Sequence, residues 1–270
     1  MATQDTQIHP TSIVHKDAQL ASGVIIGPHC VVESGVSIGE NTVLNSNVVI
    51  GENVKIGKNN RFFPMCVIGG NPQILGLKAD SPVGGLVIGD GNTIREQVTI
   101  HPSMHAGEFT KIGNENLLMI GVHIGHDCIL EDKLVMSNYT QISGHCKIET
   151  GVWFSGLLHQ FVTIGKWCYG AALAGINHDI PPFLIISGHY PSEVRGVNKR
   201  GLVRAGLNSQ QQQNIMEAYR KLYRQKTPLL ENAKAMAQED GLDENVRAMV
   251  DMVLKSSEQR FGRYLEKFRH

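Results

Sequence analysis

Two histidines three residues apart, His123 and His126, stand with an aspartate in the stretch Gly121-Val122-His123-Ile124-Gly125-His126-Asp127-Cys128. Six further histidines lie between His101 and His189. Clustered imidazoles can ligate a metal or move protons. A free imidazole titrates near pH 6.5, where a general base must work, and a positioned base contributes about 10²–10⁴-fold. A neighbouring carboxylate such as Asp127 can orient the ring and stabilise its protonated form. A catalytic zinc would instead need three convergent protein ligands and an open fourth position. Either chemistry depends on what holds these side chains still.

The surrounding chain is a repeat. Every sixth residue from Ile8 is large and apolar: Ile8, Val14, Leu20, Ile26, Val32, Ile38, Leu44, Ile50, Ile56, Phe62 and Ile68. With 41% of the chain hydrophobic, a run of this length arises by chance on the order of 10⁻⁵ times in one phase. A period of six fits neither a helix nor a simple strand. It fits a β-solenoid, with one short strand and one corner per hexad and the apolar residue filling the interior. The repeat breaks at Gly69-Gly70-Asn71-Pro72 and resumes at Ile88, so residues 69–86 read as an extruded loop, and a second loop spans about 101–110. The series continues through Ile112, Leu118, Ile124, Leu130, Met136, Ile142, Ile148 and Phe154. It then slips by two residues before Leu158 and Ile164, and is expected to run out at Asp179-Ile180-Pro181-Pro182.

The tail from about Asn208 reads as helical. Ser209 is expected to cap a first helix, Thr227-Pro228 to open a second and Asp243 to cap a third. The chain is thus mainly β, with a solenoid over 1–190 and an α-helical region over 191–270. Lys+Arg 25 balances Asp+Glu 25, which gives no bias towards nucleic acid or an anionic membrane. Five scattered cysteines without a Cys-x-x-Cys pair argue against a disulfide framework or structural zinc and suit a reducing, cytoplasmic setting. No apolar run is long enough for a transmembrane segment.

Hexads of this kind resemble the left-handed parallel β-helix acyltransferases; the handedness comes from that resemblance alone. Within that group the chain resembles the bacterial UDP-N-acetylglucosamine acyltransferases, which add the first 3-hydroxyacyl chain in lipid A synthesis. The motifs that carry this are Ile8-His9-Pro10-Thr11, Asn92-x-Ile94-Arg95-Glu96, Thr99-Ile100-His101, Asn116-Leu117-Leu118-Met119 and His123-Ile124-Gly125-His126-Asp127-Cys128. Further on they are Gly144-His145, His159-Gln160-Phe161, Asp179-Ile180-Pro181-Pro182 and Gly196-Val197-Asn198.

The resemblance implies an acyl transfer from acyl carrier protein to a UDP-amino sugar, with no cofactor, no metal and a homotrimeric assembly. It assigns His126 as base, Asp127 as its orienting group and the Gly144 N–H as oxyanion donor. At eighteen residues per coil, position 126 stacks on 144, which agrees. His101, His123, His145, His159 and Gln160 match substrate contacts; for His123, His145 and His159 the alternative is a surface polar residue on a coil face. Asn198 and Arg204 match nucleotide contacts, and the basic group Arg195, Lys199, Arg200 and Arg204 suits an acidic carrier protein.

Three departures bear on specificity. The family's loop reads Gln-Asp-Leu-Lys, whereas Gln73 is followed here by Ile74-Leu75-Gly76, with Lys78 two places late. That keeps a 3-amino analogue of the sugar open as acceptor. Arg200 and Ala205 also differ from the family's usual residues. At the acyl-chain ruler, Ala172 with Tyr169 nearby replaces the glycine that permits long chains, and so implies a chain shorter than fourteen carbons. Two other readings stay open: a γ-carbonic-anhydrase-like zinc enzyme, although His123 and His126 have the wrong spacing, and a non-catalytic paralogue.

Overall fold

The computed structural model describes residues 5–78 and 81–269. Of the extruded loop, positions 79 and 80 therefore lie outside the described residues. The chain divides into two compact units, residues 1–145 and 146–270.

In the first unit the hexads form short strands, mostly of two residues, in three parallel sheets. In the two-residue strands the first residue faces outward and the second inward, so Ile26, Leu44, Phe62, Ile94 and Leu118 fill one wall of the core. Successive coils pair eighteen residues apart, as Ile8 with Ile26 and Leu44 with Phe62. Across the first loop the step widens to Phe62 with Ile94, and across the second to Ile94 with Leu118. Both loops leave from the same corner. They follow strands Val67–Ile68 and Thr99–Ile100, and precede Gly85–Ile88 and Phe109–Ile112. His126 and Asp127 turn the same corner one coil later, after His123–Ile124, and Gly144 and His145 follow Gln141–Ile142.

These corners use left-handed backbone, with Asn53, Asp127 and His145 at φ +56, +59 and +60. Asparagine, aspartate and histidine tolerate that region better than other side chains. Another corner is stitched by buried asparagines: Asn60 Oδ1 accepts from the Asn92 amide, Asn92 Oδ1 from that of Asn116, and Asn116 Oδ1 from that of Leu134. Each buried side chain thereby satisfies a backbone donor on the next coil.

In the second unit, Lys147 pairs with Thr163 and Trp153 with Tyr169, sixteen residues apart, which is the two-residue slip. Ser155 alone turns the corner to strand Gly156–Leu158, where Gly156 has φ +149 and a Cβ would lie 2.0 Å from Ala174 O. Only glycine can take that conformation so close to another backbone.

Pairing does not stop at the prolines as expected. Phe183, at φ +69, makes the next corner, and Leu184–Ser187 adds a strand parallel to Tyr169–Gly170. Glu193–Val197 then returns antiparallel to it, inside the stretch expected to be helical from 191. A short helix α1 (Lys199–Arg204) precedes the expected tail. Helix α2 (Ser209–Tyr223) is capped by Asn208, not Ser209, in a reciprocal capping box with Gln211. Helix α3 (Leu229–Ala237) starts one residue later than expected, after Pro228, and α4 (Glu244–Ser256) is capped by Asp243. Their buried stripes are Ile215, Ala218, Tyr219 and Leu222 on α2 and Val246, Met249, Val250 and Val253 on α4. No helix among the described residues is long and apolar enough to cross a membrane. The cysteines are thiols buried in the coils.

Candidate active site

His126 Nδ1 lies 2.7 Å from Asp127 Oδ2, and only 12% and 11% of the two side chains remain exposed. The contact exists because Asp127 takes left-handed backbone, and its own N–H is tied to Thr110 Oγ1 at 2.8 Å. Asp127 Oδ1 accepts from the Ser103 hydroxyl, and Oδ2 also accepts from Met104 N at 3.2 Å. His145 Nε2 stands 3.8 Å from Oδ2, with its ring perpendicular to that of His126 at 5.0 Å between centroids. Burial alone would raise the Asp127 carboxyl. The His126 ring, the Ser103 hydroxyl, the Met104 amide and nearby His145 outweigh it and hold the group at about 2. The carboxylate is therefore charged throughout the neutral range. It fixes the Nδ1 proton of His126, which leaves Nε2 as the basic nitrogen.

Gly144 abuts the His126 ring: a Cβ there would stand 2.7 Å from Nε2 and from Cε1. A Cβ on Gly125 would in turn stand 2.7 Å from Gly144 N. Two glycines thus keep side chains out of the space between the imidazole and the Gly144 amide, as the coil arithmetic anticipates.

The other sequence candidates of this unit divide. His101 is buried at 8% exposure; its Nδ1 bonds Gly70 O at 2.8 Å, at the root of the extruded loop, and its Nε2 has no partner. His123 turns to Thr99 and His101 instead. It bonds Thr99 Oγ1 at 2.9 Å and packs edge-on to His101 at 5.2 Å, and burial, with His101 beside it, pushes its imidazole below the ordinary value. Gln73 and Lys78 are exposed on the loop. Among the described residues, the one convergent set of three metal-ligating side chains is His126, Asp127 and His145, not the His123–His126 pair. In that set the Asp127 oxygen already accepts the imidazole proton.

In the second unit, His159 is exposed, with Nδ1 3.3 Å from Gln160 O, and Gln160 is half-buried. Asn198 is buried and caps α1: Oδ1 accepts from Gly201 N at 3.1 Å and Nδ2 donates to Trp167 O at 2.8 Å. Arg204 is exposed, its guanidinium 5.6 Å and 5.9 Å from the ring centroids of Trp153 and Trp167. Trp153, Asn198 and Arg204, with Tyr169, Lys199 and Arg200, border an open groove of about 940 Å³. Tyr169 thus faces the Arg204 groove, whereas Ala172 sits exposed on the turn after it.

Sequence reasoning missed Ser103, Met104 and Thr110. The signal was present in the widened register: Thr99 pairs with His123, twenty-four residues on, and the same step carries Ser103 onto Asp127.

Comparison with known proteins adds a second line. Residues 179–262 match the profile described as UDP-N-acetylglucosamine O-acyltransferase, domain 2, and residues 5–40 match the bacterial transferase hexapeptide repeat. The chain is 41% identical over 251 residues to an acyl-[acyl-carrier-protein]–UDP-N-acetylglucosamine O-acyltransferase of Halorhodospira halophila, which covers 92% of this chain and 96% of that protein. A relative of the same name from Synechocystis is 40% identical over 175 residues, 64% of this chain and 62% of its own length. The crystal structure of the Francisella novicida UDP-N-acetylglucosamine acyltransferase superposes with a TM-score of 0.88 at 36% identity, over 95% of this chain and 93% of that one.

Proposed function

Since the chain belongs to the UDP-N-acetylglucosamine O-acyltransferase family, we propose that it moves a 3-hydroxyacyl chain from acyl carrier protein to the sugar 3-position of UDP-N-acetylglucosamine or a close analogue, with His126 as general base. This is the first step of lipid A synthesis. The observation that carries the assignment is the 2.7 Å His126–Asp127 contact with Gly144 against the same ring.

His126 Nε2 takes the hydroxyl proton as oxygen attacks the thioester carbonyl, and Asp127 stabilises the resulting imidazolium. The Gly144 N–H receives the developing oxyanion; one such donor is worth about 2.7–4 kcal/mol. Collapse expels the carrier thiolate, which takes the proton back from His126. No residue of this scheme calls for a metal or cofactor. An intact dyad also disfavours a non-catalytic paralogue.

Arg204, stacked against two tryptophans beside Lys199 and Arg200, is suited to a diphosphate. Asn198 acts on the nucleotide through the α1 cap it maintains. A homotrimer is favoured by the outward row Ile13, Val31, Val49 and Val67, which runs in register into Thr99 and His123 on one sheet face. Water-soluble substrates and buried thiols suit the cytoplasm.

The reaction is tested by incubating the protein with UDP-N-acetylglucosamine, or its 3-amino analogue, and carrier-protein thioesters of about 10 to 16 carbons, which compares transfer across a ruler pocket. We expect acylated nucleotide sugar with an optimum below fourteen carbons, set by Ala172. No product from either acceptor would refute the function, and an optimum at fourteen or more would refute the ruler alone.

A further inference from the structure

We propose that Ser103 is a positioning residue for the transfer: its hydroxyl fixes the Asp127 carboxylate and sets how strongly that carboxylate holds a proton on His126. The proposal rests on His126 being the base. Ser103 is wholly buried and has one proton to give. Its Oγ accepts from His105 N at 3.0 Å, so the hydroxyl proton points away from that amide and towards Asp127 Oδ1. The competing acceptor, His105 O, lies at 3.3 Å. A chain of donors therefore runs from the His105 amide through Ser103 to Asp127, and Asp127 in turn accepts from His126.

The serine is itself held in place by the end of the extruded loop. Gly84 N donates to Ser103 O at 2.9 Å, and Ser103 N donates to Gly85 O at 3.1 Å. A Cβ on Gly84 would stand 2.8 Å from Ser103 Cβ and closer still to the carbonyls of His105 and Glu108, so the two segments pack without slack. The loop expected to meet the acceptor sugar is thereby joined through Ser103 to the carboxylate that orients the base. A carboxylate sharing its charge with a hydroxyl stabilises an imidazolium less than a bare one. Removing the hydroxyl has two consequences: Asp127 is freer to turn, and it holds the His126 proton more tightly.

The test is steady-state transfer by the full-length protein, from about pH 5 to about pH 9, for wild type, Ser103→Ala and Ser103→Thr. In Ser103→Ala we expect kcat to fall about tenfold, the scale of one lost hydrogen bond to a charged group, with the KM for nucleotide sugar within about twofold. We also expect the acid limb of kcat/KM to move to higher pH. Ser103→Thr, which keeps the hydroxyl, restores both. An acid limb in Ser103→Ala that overlays wild type overturns the proposal whatever the fall in rate, because a merely structural hydroxyl would lower the plateau and leave the limb in place. If Ser103→Thr does not fold, imidazole NMR of Ser103→Ala decides: a His126 Nδ1 proton unchanged from wild type overturns the proposal. Failure of the base assignment shows separately, as activity retained by His126→Ala.

Discussion

The chain contains two His-Asp steps, Gly125-His126-Asp127-Cys128 and Asn177-His178-Asp179-Ile180, and they do opposite things. Both carboxylates are mostly buried and both accept several hydrogen bonds. Asp179 takes its bonds from Thr163 N at 2.7 Å, Tyr264 N at 2.8 Å and Ser256 Oγ at 3.1 Å. The difference is the imidazole. His126 faces its aspartate, whereas His178 Nδ1 lies 3.1 Å from Asn177 Oδ1. Asp127 has left-handed backbone that folds the carboxylate back onto the preceding ring, while Asp179 N donates across to Gly262 O. Burial then wins at Asp179 and raises its carboxyl to about 6, despite its donors and nearby Arg263. Burial also pushes the His178 ring down. One step joins ring and carboxylate in the pair proposed to move the proton; the other clasps the C-terminal segment onto a coil. The dipeptide alone does not distinguish them, because backbone conformation decides whether ring and carboxylate meet.

The largest effect should separate the two aspartates by rate. Asp127→Asn is expected to lower kcat by about 10²–10⁴-fold, through loss of the charge that stabilises the imidazolium and fixes the tautomer. Asp179→Asn should stay within about threefold of wild type in the same assay. Equal losses would break the comparison.

Stability against pH should sharpen it, since the two shifts have opposite signs. Asp179 binds its proton more tightly folded than unfolded, so its contribution is fully present below 3.8 and is lost as pH rises to about 6, on the order of 3 kcal/mol. Asp127 binds its proton less tightly folded, so its contribution is present above 3.8 and is lost as pH falls towards about 2, on the order of 2 kcal/mol. In urea melts, Asp179→Asn should gain on wild type as pH rises from about 4 to 7, and Asp127→Asn should gain as pH falls below about 4. Parallel profiles would contradict both shifts. The smallest effect is expected from Ser256→Ala, which removes one hydrogen bond of the clasp: about 1 kcal/mol of stability by the same melts, with kcat unchanged.

Much of this was legible in the sequence. A solenoid writes its inward residue every sixth position, so the coil phase, both loops and the placing of His126 against Gly144 followed from counting. What escaped was contact across an altered register. Ser103 meets Asp127 only because the second loop lengthens that coil, and a reading tuned to steps of eighteen passes over it. Adjacent residues of similar chemistry were also confounded: Asn208 and Ser209 both cap helices well, and nothing local chooses between them. Asn198 was expected, by resemblance, to contact the nucleotide, whereas the fold holds its amide on a helix cap and the Trp167 carbonyl. The strands after Pro182 escaped because the prolines sit in a turn, where no ladder donor is missed.

The central claim, that only the first His-Asp step works in catalysis, is tested most directly by initial rates of acyl transfer for His126→Ala and His178→Ala side by side. We expect His126→Ala to lose at least about 10²-fold and His178→Ala to remain within about threefold. Comparable rates for the two variants would contradict it.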